Sequence, residues 1–75
     1  MMPLDVVFRY GVAPNAQQMR ALDTMRDVYG IRRISFDESQ RTVRVEYDGT
    51  RFPADVVASL LQRAGLDVRE RVALV

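Results

Sequence analysis

Gly30-Ile31-Arg32-Arg33-Ile34-Ser35-Phe36-Asp37-Glu38-Ser39-Gln40-Arg41-Thr42-Val43-Arg44-Val45-Glu46-Tyr47-Asp48 is the stretch whose pattern decides the fold. Val43, Val45 and Tyr47 alternate with Thr42, Arg44 and Glu46, the period-two signature of a strand with one buried face. Ile31, Ile34 and Phe36 supply a strand ahead of it, and the polar run Asp37 to Arg41 is a connection of hairpin length. The two strands are therefore expected to be antiparallel neighbours.

Upstream of this hairpin, Leu4, Val6, Phe8 and Tyr10 alternate with Asp5, Val7 and Arg9 in a further strand. Gly11 to Pro14 break that alternation, and Asn15 with Gln18 three positions on resembles a capping box opening a helix near Ala16. Ala21, Leu22, Met25, Val28 and Tyr29 lie on one stripe of that helix, and Gly30 suits the left-handed residue that would end it. Downstream, Asp48-Gly49 signals a turn and Pro53 fits a helix's first turn. Val56, Val57, Leu60, Leu61 and Ala64 then form a second apolar stripe, closed by Gly65. Leu66, Val68, Val72 and Leu74 share one parity in a last strand, with a bulge or strand end expected near Glu70. The order strand, helix, strand, strand, helix, strand is that of a ferredoxin-like α+β sandwich: a four-stranded antiparallel sheet with two helices on one face. Residues 1–75 are expected to form one such domain.

Composition excludes more than it selects. At 48% hydrophobic and 28% charged residues, the chain has the make-up of a globular domain, neither disordered nor membrane-spanning. The N-terminal Met1-Met2-Pro3-Leu4-Asp5 carries no basic flank or long apolar stretch, so no secretory signal is expected and the cytoplasm is the expected compartment. A net charge of +1 provides no strong field toward nucleic acid or an anionic membrane. Cysteine and histidine are both absent, which removes disulfides, thiolate metal sites, cysteine nucleophiles and imidazole acid-base chemistry.

From Gly30 onward the chain resembles a heavy-metal-associated domain, the module of copper chaperones and metal-transporting ATPases. The resemblance lies in Gly30-Ile31, Ile34-Ser35-Phe36, Val43-Arg44-Val45-Glu46-Tyr47-Asp48, the helix from Val56 to Leu61, and Ala64-Gly65-Leu66-Asp67-Val68. These are mainly core positions, so the resemblance implies the fold more strongly than an activity. The family's metal loop is Gly-Met-Thr-Cys-x-x-Cys. Counting back from Gly30 without gaps sets Gly11 on its glycine, Val12 on its methionine, Pro14 on the first cysteine and Gln17 on the second. The parity of Phe8 and Tyr10 suggests a one-residue shift in this loop, but no alignment supplies a thiol.

Soft cations favour sulfur or imidazole donors, so no soft metal and no cofactor is expected here. Met19 and Met25 stand about 600° of turn apart on a helix and do not make a thioether pair. Asp37, Glu38, Glu46 and Asp48 are read as turn formers and hairpin residues before a hard-cation site. Catalysis would have its nearest analogy in acylphosphatase, for which Arg9, Gly11 and Asn15 have suitable types, but Asn15 is better read as a cap. No catalytic residue is assigned. The exposed face of the sheet carries no aromatic for stacking bases, and its arginines face Asp5, Glu46 and Asp67, so no nucleic-acid partner is expected.

What remains is a non-catalytic domain that resembles a metal carrier, has lost thiolate binding and acts through protein contacts. In metal-carrying relatives the metal loop is also the docking surface, which implies Gly11, Val12, Ala13, Pro14 and Gln17 as partner-docking residues. The apolar tail Val72, Ala73, Leu74 and Val75 on an edge strand is a second address, for strand pairing with a partner or a second copy. Alternative readings are a metal-binding protein with non-thiol ligands and a small-ligand or RNA-binding ferredoxin-like module.

Overall fold

Six elements follow in chain order in the computed structural model, which describes residues 2–28 and 30–74. They are β1 (Pro3–Tyr10), α1 (Ala16–Thr24), β2 (Ile31–Asp37), β3 (Thr42–Asp48), α2 (Ala54–Arg63) and β4 (Val68–Leu74). The strands form one sheet in the order β2-β3-β1-β4, with every neighbouring pair antiparallel. This is the ferredoxin-like α+β architecture that the hairpin pattern predicts.

Alternation in the strands sorts the side chains. Val6, Phe8 and Tyr10 of β1, Val43, Val45 and Tyr47 of β3, and Ile31 and Ile34 of β2 are buried in one cluster. Leu22 and Met25 close over it from the first helical segment, Ala54, Val57 and Leu61 from the second, and Leu66 from the loop that follows it. Burial of these apolar surfaces, at roughly 25 cal/mol per Å², is the main force holding helices to sheet.

The first helix is shorter than its apolar stripe suggests. It ends at Thr24, continues as a single 3-10 turn over Met25–Asp27, and the chain is extended at Val28. Thr24 Oγ1 donates to the Arg20 carbonyl at 3.0 Å, a back-bond that competes with straight helical geometry. Val28 still packs on the core, but from extended backbone, so the period of the stripe overran the helix. Tyr29, also placed on that stripe, lies outside the described residues. Gly30 does adopt positive φ, at 106°, though as the entry to β2 and not as a helix cap; a Cβ there would come within 2.9 Å of the Phe52 ring. Pro53 is likewise one position earlier than expected, at the N-cap of α2, and Gly65, at φ 102°, follows that helix.

Both edge strands depart from regular pairing. Ile31 and Ile34 are three apart yet both face inward, because the register shifts between Ile31 and Arg33, with Arg32 as the additional residue. In β4 the register shifts on either side of Glu70, with Arg69 and Val72 as the additional residues. The irregularity expected near Glu70 is thus a pair of bulges flanking it. The bulge at Arg69 changes the expected parity: Arg71 pairs with inward-facing Phe8, on the helix side, while Glu70 pairs with Arg9 on the outer face, and the bulge at Val72 restores the original parity at Leu74.

At the end of β3, Asp48 is a buried charge, 7% exposed. Its Oδ1 accepts from Thr50 Oγ1 at 2.7 Å, Thr50 N at 3.0 Å and Met2 N at 3.1 Å. These donors, led by the Thr50 hydroxyl, hold its carboxyl at about 2. A carboxyl depressed in the folded state stabilises the fold above its unfolded value of about 3.9 and loses that contribution as pH falls through the folded value. The stability gap between the natural chain and Asp48→Asn, read by urea unfolding, should therefore be full above pH 4 and close toward pH 2. A gap unchanged between those limits would contradict this role.

Candidate functional site

The loop between β1 and α1 carries most of the expected docking residues, and its base is fastened on three sides. Gly11 N donates to the Asp67 carbonyl at 3.0 Å, and Val12 N to Asp67 Oδ2 at 3.2 Å. Asp67 is itself clamped by Arg69, whose Nη2 lies 3.0 Å away. From the hairpin side, Arg41 Nη1 donates to the Gly11 carbonyl at 3.0 Å while the Arg41 carbonyl accepts from Tyr10 N at 2.9 Å. The helix side is closed by the capping box: Gln18 N donates to Asn15 Oδ1 at 2.8 Å and Asn15 N to Gln18 Oε1 at 2.9 Å. Gln18 Nε2 then reaches the Gly65 carbonyl at 3.1 Å, joining the head of α1 to the foot of α2.

On this braced base the loop presents apolar surface to solvent. Val12 is 66% exposed, Ala13 is exposed beside it, and Met19 is 37% exposed on the adjoining helix. Pro14 is half-buried, and Gln17 is exposed on the first turn of α1. Gly11, Val12, Ala13, Pro14 and Gln17 thus belong to one end of the molecule, with Gly11 at the base and Val12 and Ala13 outermost.

Beneath the loop lies a cavity of about 370 Å³. Ala13, Pro14 and Met19 form its loop and helix wall, Tyr10 and Phe36 its sheet wall, and Glu38 and Arg41 its hairpin wall. The Tyr10 and Phe36 rings meet edge to face with centroids 5.8 Å apart. Burial raises the Tyr10 hydroxyl pKa, the Glu38 carboxylate adds to the rise, and the Arg41 guanidinium opposes it. Sequence pattern placed Tyr10 and Phe36 on the inward face. It gave no sign that the hairpin would fold over that end, because this depends on Arg41 adopting φ 53°, a left-handed conformation held by its bonds to the β1 end.

Other candidate groups are dispersed. Arg9 pairs with Glu70 on the outer face and Asn15 is committed to its cap, so Arg9, Gly11 and Asn15 do not converge as a phosphate site. Glu46 pairs with Arg32, Asp48 is taken by Thr50, Met2 and Arg51, and Asp37 accepts from Ser39 and Gln40 within its own turn. The carboxylates Asp37, Glu38, Glu46 and Asp48 are therefore split between two ends of the hairpin, and among the described residues no group of three or more metal-ligating side chains gathers. On the outer face Arg44 pairs with Asp5, and Val7 lines a shallow recess with Ser35, Phe36, Asp37, Thr42 and Arg44. Of the tail, Val72 is an exposed bulge residue, 49% exposed. Ala73 and Leu74 pair with Val7 and Val6, and Val75 lies outside the described residues.

The copper transporter domain Ccc2A of yeast, solved in apo and Cu(I)-loaded states, superposes on this chain with a TM-score of 0.72. What the two share is the fold. Identity is 17%, and the match covers 93% of this chain and 96% of that domain. No protein-family model matches the chain, and no curated protein matches it. Among the described residues no helix is long and apolar enough to cross a membrane.

Proposed function

We propose that this chain is a non-catalytic, heavy-metal-associated-type domain that carries no soft cation and acts by docking to a protein partner through the loop at Gly11 to Pro14 and the neighbouring face of Gln17. One observation carries the reading: an apolar tip, Val12 at 66% exposed, stands on a loop whose base is fixed by Asp67, Arg41 and the Asn15–Gln18 cap. A rigid apolar projection loses little conformational freedom on association, which favours binding. The likeness to a copper transporter domain supports a setting in heavy-metal handling. The donor set of the loop, a proline ring, a carboxamide and aliphatic side chains, does not fit a soft metal ion.

A photo-crosslinking side chain placed at position 12, in cells of the native host, is expected to yield a defined protein adduct. Ala13→Asp in the same chain should abolish it while changing stability by less than about 0.5 kcal/mol. The same crosslinker at Asp55, exposed in the first turn of α2 at the opposite end of the molecule, should give none. Equal adducts from both positions, or none from position 12, would remove the docking reading.

A further inference from the structure

Glu38 and Arg41 bring opposite charges to the same cavity wall without closing an ion pair on each other. The Glu38 carboxylate is exposed and makes no hydrogen bond or ion pair among the described residues. Arg41 spends one N–H on the Gly11 carbonyl, which fixes the guanidinium in place and leaves its remaining donors available. The remaining lining is Ala13, Pro14, Met19 and the Phe36 ring, which are apolar, and Tyr10, whose ring adds to the apolar surface and whose hydroxyl is its one polar group. At about 370 Å³ the cavity falls within the size range of small-molecule sites, about 300–1,000 Å³.

We propose that this cavity binds a free apolar α-amino acid as its zwitterion, the ammonium on Glu38, the carboxylate on Arg41 and the side chain against Pro14, Met19 and Phe36. The charge pattern selects this class. A simple anion would meet the unpaired Glu38 carboxylate, and a simple cation would meet the fixed Arg41 guanidinium. An uncharged apolar molecule would leave both without partners. A ligand carrying both charges on one small head group satisfies the pair at once, through charge-assisted hydrogen bonds. The site shares Ala13 and Pro14 with the proposed docking loop but draws its two charges, Glu38 and Arg41, from the hairpin, so its test reads ligand binding separately from docking.

The test is an amide chemical-shift titration of the full 75-residue chain with L-leucine, N-acetyl-L-leucine and L-leucinamide. L-leucine should produce saturable shifts at Ala13, Met19, Glu38 and Arg41. The two blocked forms, each lacking one charge, should bind about tenfold more weakly or worse, the loss of one charge-assisted contact. Glu38→Gln, an exposed change that leaves the fold intact, should weaken L-leucine by about the same factor and erase its advantage over the acetylated form. Arg41→Gln should do the same for the amide. The absence of saturable shifts at this face with L-leucine in the tens-of-millimolar range would overturn the proposal. So would equal binding of free and blocked forms, which would mean apolar contact alone.

Discussion

Pro14→Cys/Gln17→Cys is expected to convert a chain that leaves Cu(I) with a competing bicinchoninate chelator into one that withdraws it stoichiometrically. The effect should span orders of magnitude, because two thiolates replace a proline ring and a carboxamide that offer nothing to a soft ion. The structure favours the gain: Pro14 immediately precedes the Asn15 cap and Gln17 lies in the first turn of α1, where a helix N-terminus stabilises thiolate. Ala13→Cys/Ala16→Cys covers the alternative register of the loop. If the unmodified chain competes for Cu(I) as well as either variant, a non-thiol site exists and the docking-only reading is wrong.

Leu61→Ala should lower unfolding free energy by about 2–5 kcal/mol, the range for emptying a packed leucine site. Leu61 is 0% exposed on α2 and belongs to the cluster that joins both helices to the sheet. Natural domains carry about 0.05–0.15 kcal/mol of stability per residue, so in a chain this short the loss is a large share of the whole. Val56→Ala on the same helix, at a position 38% exposed, should cost less than about 1 kcal/mol. Urea midpoints for the two variants should separate accordingly. Equal shifts would mean that α2 is not packed as described.

These expectations rest on features of unequal legibility. The sheet was readable because Val43, Val45 and Tyr47 must alternate if one face is buried, and that constraint acts locally. The three-residue step from Ile31 to Ile34 records a bulge, but a step of three also suits a helix, so its meaning depends on the partner strand. Apolar spacing overestimated α1 for a related reason: Val28 reaches the core from extended backbone, and a stripe records burial without recording backbone conformation. The loop proposed for docking stood out in the sequence through its missing thiols and its Pro14-Asn15 break. The cavity was not, since Glu38 and Arg41 reach Tyr10 and Pro14 only after the hairpin packs across the β1 end.

The bulges in β2 and β4 have a consequence for life at high concentration. Fibril growth needs a long flat ladder of free backbone groups to template the next chain, and both outer strands of this sheet are kinked where such a template would lie. Arg32 and Arg69, two of the three inserted residues, also put cations at those kinks. The domain should therefore tolerate crowding without seeding amyloid, although its sheet ends in open edges on both sides.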